Sequence, residues 1–457
     1  MTREIDQDSL HRGAKYFMDS GRAASHEDAM SLLEQFGLTI CVGGEIALSE
    51  AHQIALLTVV NAARRTLLGG IEIEGLPDCP SLTRLAPRRS LTEAVRELGG
   101  VPVSRRRDGW PVALIGDAGP NIAAAPCWRL TWEGWRGGVI PARQNRRLAE
   151  GDAIALAPAL AAASCAAEAF AYHAGDHPMA GRRASGLSLW RPTRDWLVRD
   201  PTEAALAYLP SRLWLIGLGN LGQAFAWLLA ALPYDDPSRI QFLLQDFDRI
   251  ALSNDSTSLL SSVADVGRRK SRIVGDWLEG RGFEIFLSER RFGPSTRRSA
   301  DEPGAALCGV DNALARAALE EAGFELVVEA GLGAGPNAFR SLSMHTFPAA
   351  RSAAEIWSRD VALAPETHEG MPAYRALREA GMDPCGLAQL ASRTVGVPFV
   401  GLIAACLAIS ELLRRLNGGV ALEYASGSAA ALEHFECGHH QTPPYAAGHV
   451  PRRVVVG

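Results

Sequence analysis

The segment Leu213-Trp-Leu-Ile-Gly217-Leu-Gly219-Asn-Leu-Gly222 constrains this chain most. Its apolar start reads as a buried strand, its glycines as a tight turn, and the following QAFAWLLAAL as a helix. A strand that turns on glycine into a helix is the opening unit of an open parallel sheet. The glycines let backbone amides approach a phosphate at the positive end of the helix. A second strand, 242–245, ends on Asp246, whose carboxylate is placed to accept hydrogen bonds from ribose hydroxyls. This pattern serves NAD, FAD and ATP enzymes alike.

The chain has 457 residues, more than one compact domain needs, and strand–helix alternation recurs in both halves. Helical patterns at 26–36, 48–65 and 91–98 alternate with apolar runs at 38–42, 71–74, 112–115 and 128–132. The stretch 174–197 is rich in Gly, Pro and Arg and has no period. The expected division is a first domain over 1–175, a linker at 176–197 and a second domain over 198–457. The halves also repeat each other weakly. Gly116-Asp-Ala-Gly-Pro120-Asn121 resembles Gly331-Leu-Gly-Ala-Gly335-Pro336-Asn337, and each half closes with an Ala-rich helix, Pro158 to Gly175 and Pro398 to Gly418. The second half is longer between these marks, and its extra residues surround Cys385.

A formal net charge of −5, with 47% apolar and 21% charged residues, gives no reason to expect nucleic acid or an anionic membrane as partner. No apolar run is long enough to span a bilayer, and the N-terminal MTREIDQDSLHRG is unlike a secretory signal, so a cytoplasmic location is expected. The eight cysteines form no CxxC pair, which excludes a four-cysteine zinc site. Cys437, His439 and His440 could hold a metal, but a solvated tail is the plainer expectation.

The residues after Asp246 separate ATP from NAD. Asp246-Phe-Asp248 is followed by Ser253-Asn254, then by Asp265-Val-Gly267-Arg-Arg-Lys270 opening a helix, then by a strand ending at Asp311-Asn312. Lys270 falls in the first helical turn, where a buried cation is misplaced against the helix dipole unless an anionic ligand lies beside it. A dehydrogenase has no use for this lysine and a second carboxylate. An adenylating enzyme does, because a carboxylate can hold magnesium and a lysine can offset charge on the α-phosphate. The order GxGxxG, DxD, SN, GxxK, DN resembles the adenylation domain of the ThiF/MoeB and ubiquitin-activating family, clearly over about 213–345 and less fully to 420.

The resemblance implies an α/β fold of two Rossmann-like, ThiF-type adenylation domains in one chain, the N-terminal copy degenerate. It implies ATP and Mg2+ bound by Gly217, Gly219, Gly222, Asp246, Asp248, Asn254, Lys270 and Asn312, with magnesium at Asp311. The chain departs from the family at Thr257, where an arginine is expected, and another cation must substitute. Arg12 and Arg22 are candidates for the arginine that the partner half supplies.

Family members often pass the acyl group to a cysteine on a mobile segment. Cys406, Cys308, Cys41 and Cys165 lie in apolar runs, whereas Met382-Asp383-Pro384-Cys385-Gly386 is turn-like and lies in a crossover loop at about 345–396. The expected activity is adenylation of the C-terminal glycine of a ubiquitin-like protein by Lys270 and Asp311, then acyl transfer to Cys385 and on to a conjugating enzyme. A homodimer is compatible with this. Alternatives are a sulfur-carrier adenylyltransferase, an NAD-dependent oxidoreductase, a nucleotide-binding scaffold, or a hydroxyl in place of Cys385.

Overall fold

The computed structural model describes residues 8–119, 126–151, 153–361, 368–439 and 448–454. Pro120, Asn121 and His440 lie outside the described residues. The first half runs α1 (Ala14–Asp19), α2 (His26–Leu33), β1 (Gly37–Val42), α3 (Glu50–Ala63), β2 (Gly70–Glu74), α4 (Leu91–Glu97), β3 (Gly100–Val103), β4 (Val112–Ile115), β5 (Cys127–Glu133), β6 (Arg136–Pro141), α5 (Leu156–Ala174) and β7 (Ser185–Ser188). The second half begins with β8 (Tyr208–Pro210), β9 (Arg212–Ile216), α6 (Asn220–Ala231), β10 (Gln241–Gln245), α7 (Lys270–Glu279), β11 (Glu284–Ser288), β12 (Ala305–Cys308) and α8 (Ala313–Ala317). It continues with β13 (Leu326–Leu332), α9 (Gly335–Ala338), β14 (Ser341–Phe347), α10 (Ala353–Val361), α11 (Pro372–Glu379), α12 (Pro384–Ser392), α13 (Pro398–Leu416), β15 (Leu422–Ser428), β16 (Ala431–His439) and β17 (His449–Pro451).

The two large sheets have one topology. The first is ordered β3-β2-β1-β4-β5-β6-β7 and the second β11-β10-β9-β12-β13-β14-β15-β16. In each, the first five strands are parallel and the remainder antiparallel. The parallel strands read as unbroken apolar runs because helices or loops cover both faces. Both halves are therefore Rossmann-like, and each has a switch point, between β1 and β4 and between β9 and β12, where open sheets bind ligands.

Helices α5 and α13 are nineteen residues each and pack on one another between the sheets, with α3 and α6 beside them. A helix apolar on all sides belongs in a core, and the alanines of α5 let α13 approach closely. The 48–65 pattern looked amphipathic, yet α3 is buried nearly all round. Its polar residues are paired instead of wet: Trp227 Nε1 donates to Thr58 Oγ1 at 3.0 Å and Asn61 Nδ2 to the Leu259 carbonyl at 3.2 Å.

Three sequence expectations change. The stretch 176–197 contains β7, which joins the first sheet despite having no period. The Gly116 and Gly331 segments are not counterparts, because Gly116 follows β4, fourth in its sheet order, while Gly331 lies in β13, fifth in its own. The Cys437–His439 region is not a solvated tail but the end of β16, paired to β15. The longer path of the second half lies between β14 and α13, residues 348–397, and holds α10, α11 and α12. Among the described residues no helix is long and apolar enough to cross a membrane, and no group of three or more His, Cys, Asp or Glu could hold a metal ion.

Candidate active site

The glycine turn closes the C-terminal edge of the second sheet. Gly217 has φ +82°, and a Cβ there would meet Val310 at 2.8 Å, so the turn lets the β9 and β12 ends come together. A Cβ on Gly222 would collide with the Gly217 carbonyl, so that glycine serves the packing of α6 against the turn. Gly219, just before α6, differs: a Cβ there would meet nothing within 4 Å, which leaves open space in front of the helix start. Asn220 ties the turn to the entry of α13 through Nδ2 and the Val397 carbonyl, 3.1 Å.

Asp246 is only 8% exposed and grips the turn with both oxygens, accepting from the Leu218 amide at 2.7 Å and the Asp248 amide at 2.8 Å. Burial raises its pKa, opposed by Lys270 and by those amides. Each carboxylate oxygen retains a second lone pair for a ribose hydroxyl. Lys270 is the first residue of α7, and its Nζ lies 3.0 Å from Asp248 Oδ2. The anion that the sequence required beside this lysine is thus supplied by the chain itself.

Asn254 and Asn312 have local work. Asn254 Oδ1 accepts from the Ala251 amide at 2.8 Å, and Asn312 Oδ1 caps α8 through the Ala315 amide at 3.0 Å. Their Nδ2 groups are the atoms with which they could meet a ligand. Asp311 is exposed at the C-terminal edge of β12, the place and chemistry that a divalent cation needs. Arg316, five positions on, positions this loop: its Nε donates to the Val310 carbonyl at 2.8 Å and lies 3.1 Å from the buried Glu329. The sequence reading passed over Arg316, although its place on the short helix that follows Asp311-Asn312 was visible.

The structure separates the two candidate arginines. The Arg12 amide donates to Ser256 Oγ at 3.1 Å, its guanidinium to Thr394 Oγ1 at 2.9 Å, and its carbonyl accepts from Gly396 at 3.3 Å. Desolvation lowers its pKa to about 10, Arg393 adds to this, and Asp311 opposes it. The arm before α1 therefore lies with its backbone against Ser256, next to Thr257, and its guanidinium on Thr394. Arg22 is engaged elsewhere, donating to the Ala174 carbonyl at 2.5 Å and lying over the Tyr16 and Phe17 rings. The arm is anchored by Lys15, fully buried, whose Nζ meets Asp19 at 2.7 Å, Tyr374 Oη at 2.5 Å and the Ala391 carbonyl at 3.1 Å. This cluster joins α1 to α11 and α12.

Two domain families match the chain, the BilD N-terminal domain over residues 37–189 and the BilD C-terminal domain over 209–419. The bacterial E1-like protein BilD of Collimonas sp. (strain OK412) is 64% identical over 449 residues, covering 98% of this chain and 97% of that protein. The chain belongs to the BilD family. Among solved structures, E. coli MccB overlaps 52% of this chain and 64% of its own at 12% identity and a TM-score of 0.33. The E. coli tRNA N6-threonylcarbamoyladenosine dehydratase TcdA overlaps 45% and 85% at 12% identity and a TM-score of 0.31. These overlaps are partial, and the Rossmann-like assignment rests on the strand order.

In this BilD-family chain the cysteines divide by burial. Cys41, Cys165, Cys308 and Cys406 are buried, and burial pushes the first three thiols up to about 12 and Cys406 further. Cys437 is half-buried and pushed up to about 11. Cys385 is exposed. It lies not in a turn but as the second residue of α12, capped by Asp383, whose Oδ1 accepts the Cys385 amide at 2.9 Å and the Gly386 amide at 3.0 Å. The far end of α12 leads to Thr394 and Gly396 against Arg12, and at ~1.5 Å per residue Cys385 stands roughly 10 Å along the axis from that end.

Proposed function

We propose that this chain adenylates the C-terminal glycine of a ubiquitin-like protein with ATP and passes the acyl group to Cys385, in keeping with the E1-like name of its BilD relative. The observation that carries the reading is the convergence at the second switch point. The open Gly219 position and the Asp246–Asp248–Lys270 group stand at the β9 and β10 ends, Asp311 at the β12 end, and the arm carrying Arg12 reaches Ser256 from the first half.

In this reading the open space before α6 takes the phosphates against backbone amides, and Asp246 accepts the ribose hydroxyls. Asp311 would hold magnesium, which supplies positive charge beside the phosphates when bound. The glycine carboxylate attacks the α-phosphorus, the bond to the β-phosphate oxygen breaks, and pyrophosphate leaves. Lys270 and Arg12 offset the charge that grows on the α-phosphate oxygens, with Arg12 replacing the arginine missing at Thr257. The Cys385 thiolate then attacks the acyl carbon of the mixed anhydride and AMP leaves, giving a thioester for a conjugating enzyme. Cys385 stands at the end of α12 away from Arg12, so this helix shifts between the two steps.

The test is ATP–pyrophosphate exchange with a candidate partner ending in glycine. Exchange that requires the partner's terminal glycine, is lost in Asp311→Ala and persists in Cys385→Ala supports the reading. Exchange without any partner, or its persistence in Asp311→Ala, sinks it.

A further inference from the structure

Helix α3 ends at Ala63, and the second residue beyond it, Arg65, is 3% exposed. Its guanidinium leaves the first half and closes on the stretch 255–261 of the second. Nη1 donates to the Asp255 carbonyl at 2.5 Å and the Ser261 carbonyl at 3.2 Å, and Nη2 to the Leu259 carbonyl at 3.0 Å. Nε and Nη2 donate to Asn61 Oδ1 at 3.4 and 3.3 Å, which holds the side chain in line with α3. Carbonyls of an irregular segment have no ladder of their own and need donors from outside it, and one planar guanidinium supplies three of them here. The ion pair is secondary: the Asp255 carboxylate is 32% exposed and lies 3.4 Å from Nη1. Desolvation lowers the Arg65 pKa to about 9, Arg64 adds to this and Asp255 opposes it, so the chain keeps a costly buried cation at this place.

The same stretch is held from its other side by α6. Gln223 Oε1 accepts the Leu260 amide at 2.7 Å, and Nε2 donates to Ser261 Oγ at 2.7 Å and to the Leu218 carbonyl of the glycine turn at 3.2 Å. Asn254 stands where the stretch begins, and its carbonyl accepts the Thr257 and Ser258 amides at 3.1 and 2.8 Å. Ser256, inside it, receives the Arg12 amide. One short segment therefore links the glycine turn, Asn254 and the arm, and Arg65 fixes it from the first half. Arg65 does not stand in for the arginine missing at Thr257 as a phosphate contact, because its five N–H donors are all engaged. It acts through the backbone it holds.

We propose that Arg65 is a positioning residue of the second-half site: it holds 255–261 so that Asn254 and the glycine turn keep the shape that receives the phosphates of ATP. The proposal rests on the reading of the second switch point as an ATP site. It gives the first half a part in nucleotide binding through α3 as well as through the arm.

ATP with magnesium is titrated calorimetrically into full-length wild type, Arg65→Met, Arg65→Lys and Arg64→Ala, at a temperature where circular dichroism shows each variant folded. Methionine keeps the apolar stem and removes the donors, and lysine restores a charged donor. Arg64→Ala removes the neighbouring cation, which meets Asp255 Oδ1 at 3.5 Å. The expected result is ATP affinity about tenfold weaker in Arg65→Met, the size of one lost hydrogen bond to a charged group. Arg65→Lys is partly rescued and Arg64→Ala binds as wild type does. A residue that only packs the halves together would lower the melting temperature of Arg65→Met and leave ATP affinity unchanged, and that outcome overturns the proposal. An equal loss in Arg64→Ala also overturns it, since the effect would then be one of general positive charge, as does failure of both Arg65 variants to fold. Absence of ATP binding by wild type overturns the reading of the site itself, and the wild-type titration tells the two failures apart.

Discussion

The Lys270 ammonium lies 3.0 Å from the Asp248 carboxylate, and the Lys270 amide donates to the Asp248 carbonyl at 3.0 Å. The double contact fixes the start of α7 against the loop leaving β10 and holds the lysine beside the proposed phosphate position. Lys270→Ala is expected to lower the kcat of ATP–pyrophosphate exchange by about 100-fold, or ~3 kcal/mol, the usual size for losing one donor aimed at developing charge. Lys270→Arg keeps the charge without the pairing and should fall between. Wild-type kcat in Lys270→Ala would take the lysine out of the chemistry.

Gly219 and Gly222 belong to one motif but should fail in different ways. An alanine at 222 collides with the Gly217 carbonyl, and overpacking of this kind costs about 1–3 kcal/mol. Gly222→Ala should melt earlier than wild type. Gly219 has φ −81° and open space around it, so Gly219→Ala should melt like wild type and lose ATP affinity. Thermal melts with and without ATP separate the two, and identical behaviour would contradict the assignment of open space to the nucleotide.

Arg12 and Arg22 lie on one arm yet face different surroundings. Arg12→Ala should lower exchange by about tenfold or more, because a cation beside the reacting phosphate contributes in the transition state. Arg22→Ala loses the bond to the Ala174 carbonyl and its ring contacts and should reduce stability while leaving kcat of the folded fraction unchanged. Exchange assays normalised to folded protein decide between them.

Burial pushes the His11 imidazole down to about 4, His26 adds to this and Asp255 opposes it. Its Nδ1 accepts the Ala14 amide at 3.2 Å, so the arm depends on a neutral ring. The folded pKa lies below the unfolded value near 6.5, so the unfolded chain takes up the proton first. Stability present above about pH 6.5 is lost as pH falls toward 4. Melting temperatures from pH 7 to pH 4.5 should fall for wild type and fall less for His11→Asn. Parallel slopes would remove His11 as the cause.

The order of residues from Gly217 through Asp246 and Lys270 to Asp311 is legible in the sequence alone. Each follows a short apolar strand or opens a helix, and those patterns are local. Strand β7 escaped because four residues among Gly, Pro and Arg carry no period that a reader could count. The pairing of Gly116 with Gly331 failed because similar composition carries no information about sheet position.

By itself the sequence determined the α/β class, the glycine turn, and which side chains stand at the C-terminal ends of the second-half strands. Hydrophobic periodicity reports which face of an element is buried, and it is silent about what that face meets. Only tertiary packing could bring Arg12 to Ser256, 244 residues away, or join Lys15 to Tyr374 across 359. Likewise, which strand ends stand side by side at each switch point follows from strand register. Register is set by pairing between distant strands, where one residue of slip would turn every side chain to the opposite face.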